Sequence, residues 1–208
     1  MFVRLAKVKD CQEIYDLIKD GDSGMTTLPK SKDEVLERIS WSKKSLNKKA
    51  KRPDKDSYLF VLKENNRIVG ISAIYTSVSK NGTSVFFKQK KKNISSKVFK
   101  FKKSLDVIQL HTVKNPYTEL GTLYLHPDFR GKGRGSLLSL ARFKFMALWP
   151  ERFDQKVVAE IRGKVDKDET SIFWKHFSKY FFDEEMFNNN EISYICLLYT
   201  SDAADEVR

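Results

Sequence analysis

Apolar positions fall at helical spacing in two early stretches, Ile14, Leu17 and Ile18, then Val35, Leu36 and Ile39. Asp10 with Glu13 reads as a capping-box-like start for the first helix, and Ser31 with Glu34 starts the second. The first helix is expected to stop near Gly21, and the second to fade into an exposed basic connection over residues 43–55. From Tyr58 the period changes. Tyr58-Leu59-Phe60-Val61-Leu62 is a continuous apolar strand, Asn65-Asn66 a tight turn tolerant of positive φ, and residues 67–75 the returning strand of a hairpin.

The most ordered pattern comes later. An apolar strand, residues 120–125, runs into a turn at His126-Pro127-Asp128, then into Arg130-Gly131-Lys132-Gly133-Arg134-Gly135, which opens directly into an apolar helix reaching Leu148. Trp149-Pro150 breaks that helix, and further strands are expected over residues 106–111 and 156–161. Phe173, His176, Phe177, Tyr180 and Phe181 share one helical face, where His176 reads as a packed or surface histidine. Strands alternating with helices, plus an early hairpin, indicate an α/β domain with a mixed sheet.

Composition changes this picture little. A hydrophobic content of 40% and an aromatic content of 12% suit one sizeable core for 208 residues. No apolar run approaches the ~20 residues that span a bilayer, and charges interrupt the first residues where a signal peptide would be apolar. Cys11 and Cys196 lie far apart, and His111, His126 and His176 have no ligand-like spacing, so neither a disulfide framework nor a metal site is expected. A cytoplasmic enzyme without a metal is the default.

The formal charge of +12 raises a nucleic-acid partner. The excess is mostly lysine among many Asn, Ile and Phe, which fits a solvated surface and a coding bias, and a positive field also suits an anionic substrate. Its densest part, residues 86–103, interleaves Lys88, Lys90, Lys91, Lys92, Lys97, Lys100, Lys102 and Lys103 with Phe87, Val98, Phe99 and Phe101. Such interleaving can bind single strands. The alternation Val98-Phe99-Lys100-Phe101-Lys102 is read instead as an edge strand whose lysines oppose aggregation.

The glycine loop carries the chemistry. Strand, glycine turn and helix start together present backbone N–H groups and a partial positive charge to a phosphate, with Arg130, Lys132 and Arg134 around them. Neither the Walker string nor the dinucleotide fingerprint is present, since the glycines fall at 131, 133 and 135. Arg-x-x-Gly-x-Gly after a strand resembles the acyl-CoA pyrophosphate loop of the GNAT superfamily of N-acyltransferases. That resemblance implies an α/β, GNAT-like, mixed and mostly antiparallel central sheet flanked by helices.

Further strings narrow it. Gly24-Met25-Thr26-Thr27-Leu28-Pro29, Glu119-Leu120-Gly121-Thr122-Leu123-Tyr124-Leu125, Lys156-Val157-Val158-Ala159-Glu160-Ile161-Arg162-Gly163, and Phe173-Trp174 leading to Tyr180-Phe181-Phe182 resemble the arginine N-succinyltransferase family over residues 2 to 187. The resemblance implies succinyl transfer from succinyl-CoA to the α-amino group of L-arginine, some members also taking L-ornithine. It implies that Leu123, Tyr124, Leu125 and Arg130 to Gly135 hold the acyl-CoA, and that Gly24, Met25, Thr26, Thr27 and Arg162 meet the acceptor.

Family members are much longer, and the histidine proposed for their catalysis lies in a second half that pairs with the first. The expected organisation is therefore a GNAT-like domain over residues 1–190, the start of a second half at 191–196, a non-native tail at 197–208, and a homo-oligomer left open for a full-length chain. Acyl transfer needs a held thioester, a neutral amine, an oxyanion site and a proton for the thiolate. A bulge near Leu123 and Tyr124 would free N–H groups for the oxyanion. Glu160 is the candidate base, with pairing to Arg162 or to the substrate guanidinium as the alternative. Tyr124 is open between thiolate acid and packed aromatic. Two other functions stand beside this one: a GNAT enzyme acetylating a small amine or a protein lysine, and a non-enzymatic basic nucleic-acid-binding protein.

Overall fold

The computed structural model describes residues 1–19, 28–78, 84–113 and 116–159, and the single positions 166, 172, 175, 176 and 180. The chain divides into two units, residues 1–78 with 116–174, and residues 79–115 with 175–208.

The first unit is built on a five-stranded sheet. Its strands are β1 (Phe2–Leu5), β2 (Ser57–Glu64), β3 (Arg67–Val78), β6 (Tyr117–Leu125) and β7 (Val157–Val158), in spatial order β1-β2-β3-β6-β7. All pairs are antiparallel except β6 with β7, so the sheet is mixed and mostly antiparallel. Helices α1 (Cys11–Ile18), α2 (Lys32–Asn47) and α3 (Arg134–Leu148) flank it. The architecture is thus the GNAT-like α/β class.

The run of apolar residues in β2 is explained by burial on both faces. Leu59 and Val61 join Ile14, Leu17, Val35, Ile39, Ile71 and Tyr124 in a core against α1 and α2. Tyr58, Phe60 and Leu62 point the other way, to Phe145 and Leu138 of α3. Asn65 and Asn66 both hold positive φ, 48° and 62°, as the β2–β3 turn requires.

Several expectations need correction. Asp10 starts α1 but makes no cap bond to it. It takes two hydrogen bonds from Arg4, at 2.6 and 2.8 Å, and one from the Lys7 N–H at 2.7 Å, while Glu13 accepts from the Ile68 N–H. Burying Ile14, Leu17 and Ile18, at roughly 1.5–3 kcal/mol each, outweighs the ~1 kcal/mol of a missing cap. Ser31 does cap α2, its Oγ accepting from the Glu34 N–H at 3.2 Å. Leu36 is exposed, because the buried stripe runs through Val35, Ile39, Ser42 and Ser45.

α2 also continues through Lys43 and Lys44, where an exposed connection was expected. The two buried serines explain why. β1 ends at Leu5, opposite Phe60, and beyond it Ser42 Oγ accepts the Leu59 N–H at 2.9 Å and Ser45 Oγ the Ser57 N–H at 3.1 Å. Arg152 closes the helix end, donating to the carbonyls of Ser45 at 3.0 Å and Lys48 at 2.9 Å.

In the second unit, β4 (Ser84–Ser96) and β5 (Phe101–Val113) form a two-stranded antiparallel sheet of their own. Each strand of such a pair is an edge, as expected of the basic segment, but the stretch read as strand over residues 98–102 is mostly turn. Residues 97–100 are its turn, with Lys100 at φ 51° and Val98 and Phe99 exposed. The strand expected over residues 106–111 is the middle of β5, registered on β4, with Asp106 opposite Lys91. The expectations at 20–27 and 160–165 lie outside the described residues, as do those at 173, 174, 177–179 and 181–208.

Candidate acyl-donor site

β6 reaches the site in an irregular course. Ala73 of β3 pairs with Gly121 and Ile71 with Tyr124, so Thr122 and Leu123 together stand opposite Ser72. This is a β-bulge, with Thr122 at φ 50°. It lies one residue earlier than the sequence suggested. Leu123 is exposed at the bulge, whereas Tyr124 is buried in the core beneath α1 and α2. Leu125 packs with Val69 and Leu138.

The bulge is held from both sides of the sheet. On one side the Tyr75 hydroxyl shares a hydrogen bond with Thr122 Oγ1 at 3.1 Å and accepts from Arg38 Nη1 of α2 at 2.9 Å. A Cβ on Gly121 would come within 2.7 Å of the Tyr75 ring, so only glycine lets that ring lie there. Glu119, half-buried, has a carboxylate oxygen 3.4 Å from the same point. On the other side the buried Arg142 of α3 donates to the Gly121 carbonyl at 3.3 Å. Sequence reading missed Arg38, Tyr75 and Arg142, since nothing in their local spacing marks contact across elements; a lone arginine on the apolar stripe of α3 was the available signal.

After β6 the chain turns at Pro127–Phe129, with Phe129 N–H on the His126 carbonyl at 2.9 Å and Arg130 N–H on that of Pro127 at 3.1 Å. Gly131, Lys132 and Gly133 then take positive φ in succession, 90°, 50° and 75°. Such a run curls backbone N–H groups toward one side, and the first turn of α3 adds N–H groups without intrahelical partners. A Cβ on Gly131, Gly133 or Gly135 would meet no atom within 4 Å. Conformation calls for glycine at the first two positions. At Gly135 neither conformation nor crowding does, and the space above the helix start is open there.

Arg130 and Lys132 are exposed beside this cradle. Arg134 is not free in the same way: its Nε and Nη2 pair with Glu64 at 2.5 and 2.8 Å. That hydrogen bonding holds the Glu64 carboxyl below its usual value and raises the arginine. Gly24, Met25, Thr26, Thr27, Glu160 and Arg162 lie outside the described residues. Among the described residues no three His, Cys, Asp or Glu cluster as metal ligands, and no helix is long and apolar enough to cross a membrane.

A mixed sheet with a bulged central strand running through a glycine turn into a helix is the GNAT-like class of fold. Comparisons with known proteins carry this further. The model of the arginine N-succinyltransferase beta subunit family matches residues 1–195, and the chain belongs to that family. The arginine N-succinyltransferase of Yersinia pestis (strain Pestoides F) is 34% identical over 189 residues, covering 89% of this chain and 53% of the relative. Arginine N-succinyltransferase subunit beta of Pseudomonas aeruginosa is 33% identical over 186 residues, covering 89% and 54%. The solved arginine/ornithine succinyltransferase subunit AI of Pseudomonas aeruginosa superposes with a TM-score of 0.74 at 28% identity, over 87% of this chain and 56% of that one. The chain spans about half the length of the curated relatives it matches.

Proposed function

We propose that this chain carries the acyl-donor half of an arginine N-succinyltransferase reaction, binding succinyl-CoA for transfer of its succinyl group to the α-amino group of L-arginine. The observation that carries the reading is the continuous course from the Thr122–Leu123 bulge to the glycine cradle, in a chain matched by the family model over residues 1–195. In this reading Gly131 to Gly135, with Arg130 and Lys132, receive the pyrophosphate through backbone N–H groups and charge. Arg134 ties the helix start to Glu64 and contributes through the loop it fixes. Leu123, Tyr124 and Leu125 lend main-chain groups along the pantetheine and thioester, and the bulge supplies donors for the tetrahedral oxyanion.

The acceptor amine is mostly protonated at neutral pH, so a base must take its proton before attack. Glu160 is assigned that role here, with Gly24, Met25, Thr26, Thr27 and Arg162 around the acceptor. The amine nitrogen then bonds to the thioester carbon, the C–S bond breaks, and the thiolate leaves to be protonated. The test follows thiol release from succinyl-CoA with L-arginine and L-ornithine, with acetyl-CoA and a lysine peptide in parallel. Release confined to succinyl-CoA with either amino acid supports the proposal. Release with acetyl-CoA and the peptide alone replaces it by a general acetyltransferase.

A further inference from the structure

Arg142 sits at 4% exposure on α3, in the stripe that buries Leu138 and Phe145. Its guanidinium donates from Nη1 to the Gly121 carbonyl at 3.3 Å, from Nη2 to Ser139 Oγ at 3.0 Å and from Nε to the Ser139 carbonyl at 3.4 Å. No carboxylate pairs with it among the described residues, and burial is the cause that pushes its pKa down. Arginine remains charged even so. A buried cation is an expensive way to fill a helix stripe that leucine or methionine would fill well.

Its position gives the charge a use. The carbonyl it holds is the last before the left-handed Thr122 and the bulge. A donor on that carbonyl polarises the Gly121–Thr122 peptide, making its N–H a stronger donor. The Arg38–Tyr75–Thr122 chain fixes the same bulge from α2, but ends on neutral hydroxyls. Arg142 is the buried charge behind it.

We propose that Arg142 is a positioning residue for acyl transfer: through the Gly121 carbonyl it fixes and polarises the β6 bulge, and its buried positive charge stabilises negative charge developing on the thioester oxygen. The inference rests on the acyl-CoA reading above. Buried behind the Gly121 carbonyl, Arg142 acts through that peptide rather than by touching the reacting atoms.

The test uses the whole chain with succinyl-CoA carrying ¹³C at the thioester carbonyl, and compares wild type, Arg142→Gln and Arg142→Lys. Isotope-edited infrared spectra report polarisation of the bound carbonyl, and calorimetry reports donor affinity. The expected result is a carbonyl stretch lowered on binding to wild type, an effect lost in Arg142→Gln and largely kept in Arg142→Lys. Donor affinity should stay within about threefold, because the pyrophosphate cradle is elsewhere, while kcat falls about 10²–10³-fold in Arg142→Gln. An unchanged carbonyl shift in folded Arg142→Gln overturns the inference, as does a wild-type complex with no shift. Loss of affinity with an intact shift would make Arg142 merely structural, which also overturns it. If Arg142→Gln does not fold, Arg142→Met, which fills the apolar stripe without the charge or the Gly121 bond, decides: a lost shift supports the inference and an unchanged one overturns it. No binding of succinyl-CoA at all takes the acyl-CoA reading with it, whereas binding indifferent to Arg142 removes this inference alone.

Discussion

Glu64 and Arg134 meet through two parallel hydrogen bonds that join the last residue of β2 to the first of α3. The guanidinium also lies 5.8 Å from the centre of the Phe129 ring, so three separate segments converge on it. A bidentate pair of this kind fixes direction as well as distance. Its effect is to orient the start of α3, where the glycine turn delivers its N–H groups.

Glu64→Gln is expected to change CoA affinity by less than about fivefold by calorimetry. Glutamine keeps one oxygen to accept from Arg134, and losing a nearby negative charge partly offsets a looser helix start. A larger loss would show that the tether itself sets the cradle.

Gly133→Asp is expected to abolish CoA binding in a folded protein. Gly133 is the N-cap of α3 at φ 75°, with open space where a Cβ would stand. Aspartate tolerates that conformation better than most residues and caps helices well, so the fold survives while a negative charge occupies the phosphate position. Unchanged CoA affinity, with native circular dichroism, would remove the cradle argument.

Asp10 makes acid stability testable. Burial raises its pKa, but hydrogen bonds from Arg4 and the Lys7 N–H, with the nearby positive charges, more than reverse this, so the net shift is downward. A depressed carboxylate contributes stability that is complete above its unfolded value, near 3.9, and is lost as pH falls through the lower folded value. Asp10→Asn should therefore cost about 2 kcal/mol at neutral pH, a gap that closes in strong acid. Urea unfolding at pH 7 and pH 3 measures it; a gap constant across that range would deny the ion pair its role.

Replacing Lys90, Lys91 and Lys92 by Gln is expected to lower solubility and leave CoA affinity within about twofold. Lys90 and Lys92 alternate with Lys91 along β4, so both faces of the hairpin carry charge. Submicromolar RNA binding at physiological salt, lost in this variant, would instead make the hairpin a nucleic-acid arm.

What the sequence revealed follows from how local each signal was. The Asn65-Asn66 turn, the Ser31 cap and the glycine turn were legible because each rests on the conformational preference of one or two residues. The bulge was placed one residue late, since its position depends on pairing with Ser72, which β6 alone does not display. The edge character of the basic segment was legible, but alternation over residues 98–102 did not show that residues 97–100 are the turn between β4 and β5. Arg142 and Ser42 were invisible for a related reason: their partners, Gly121 and Leu59, lie 21 and 17 residues away in sequence.

The two serines of α2 have a consequence for how this unit opens. Ser42 and Ser45 stand in for strand neighbours that β1 is too short to provide, so the Leu59 and Ser57 amides lose their acceptors the moment α2 lifts away. Those two amides should exchange deuterium at the rate of helix detachment rather than of global unfolding. They form a built-in gauge of α2 docking, and any molecule that steadies the helix would slow both by the same factor.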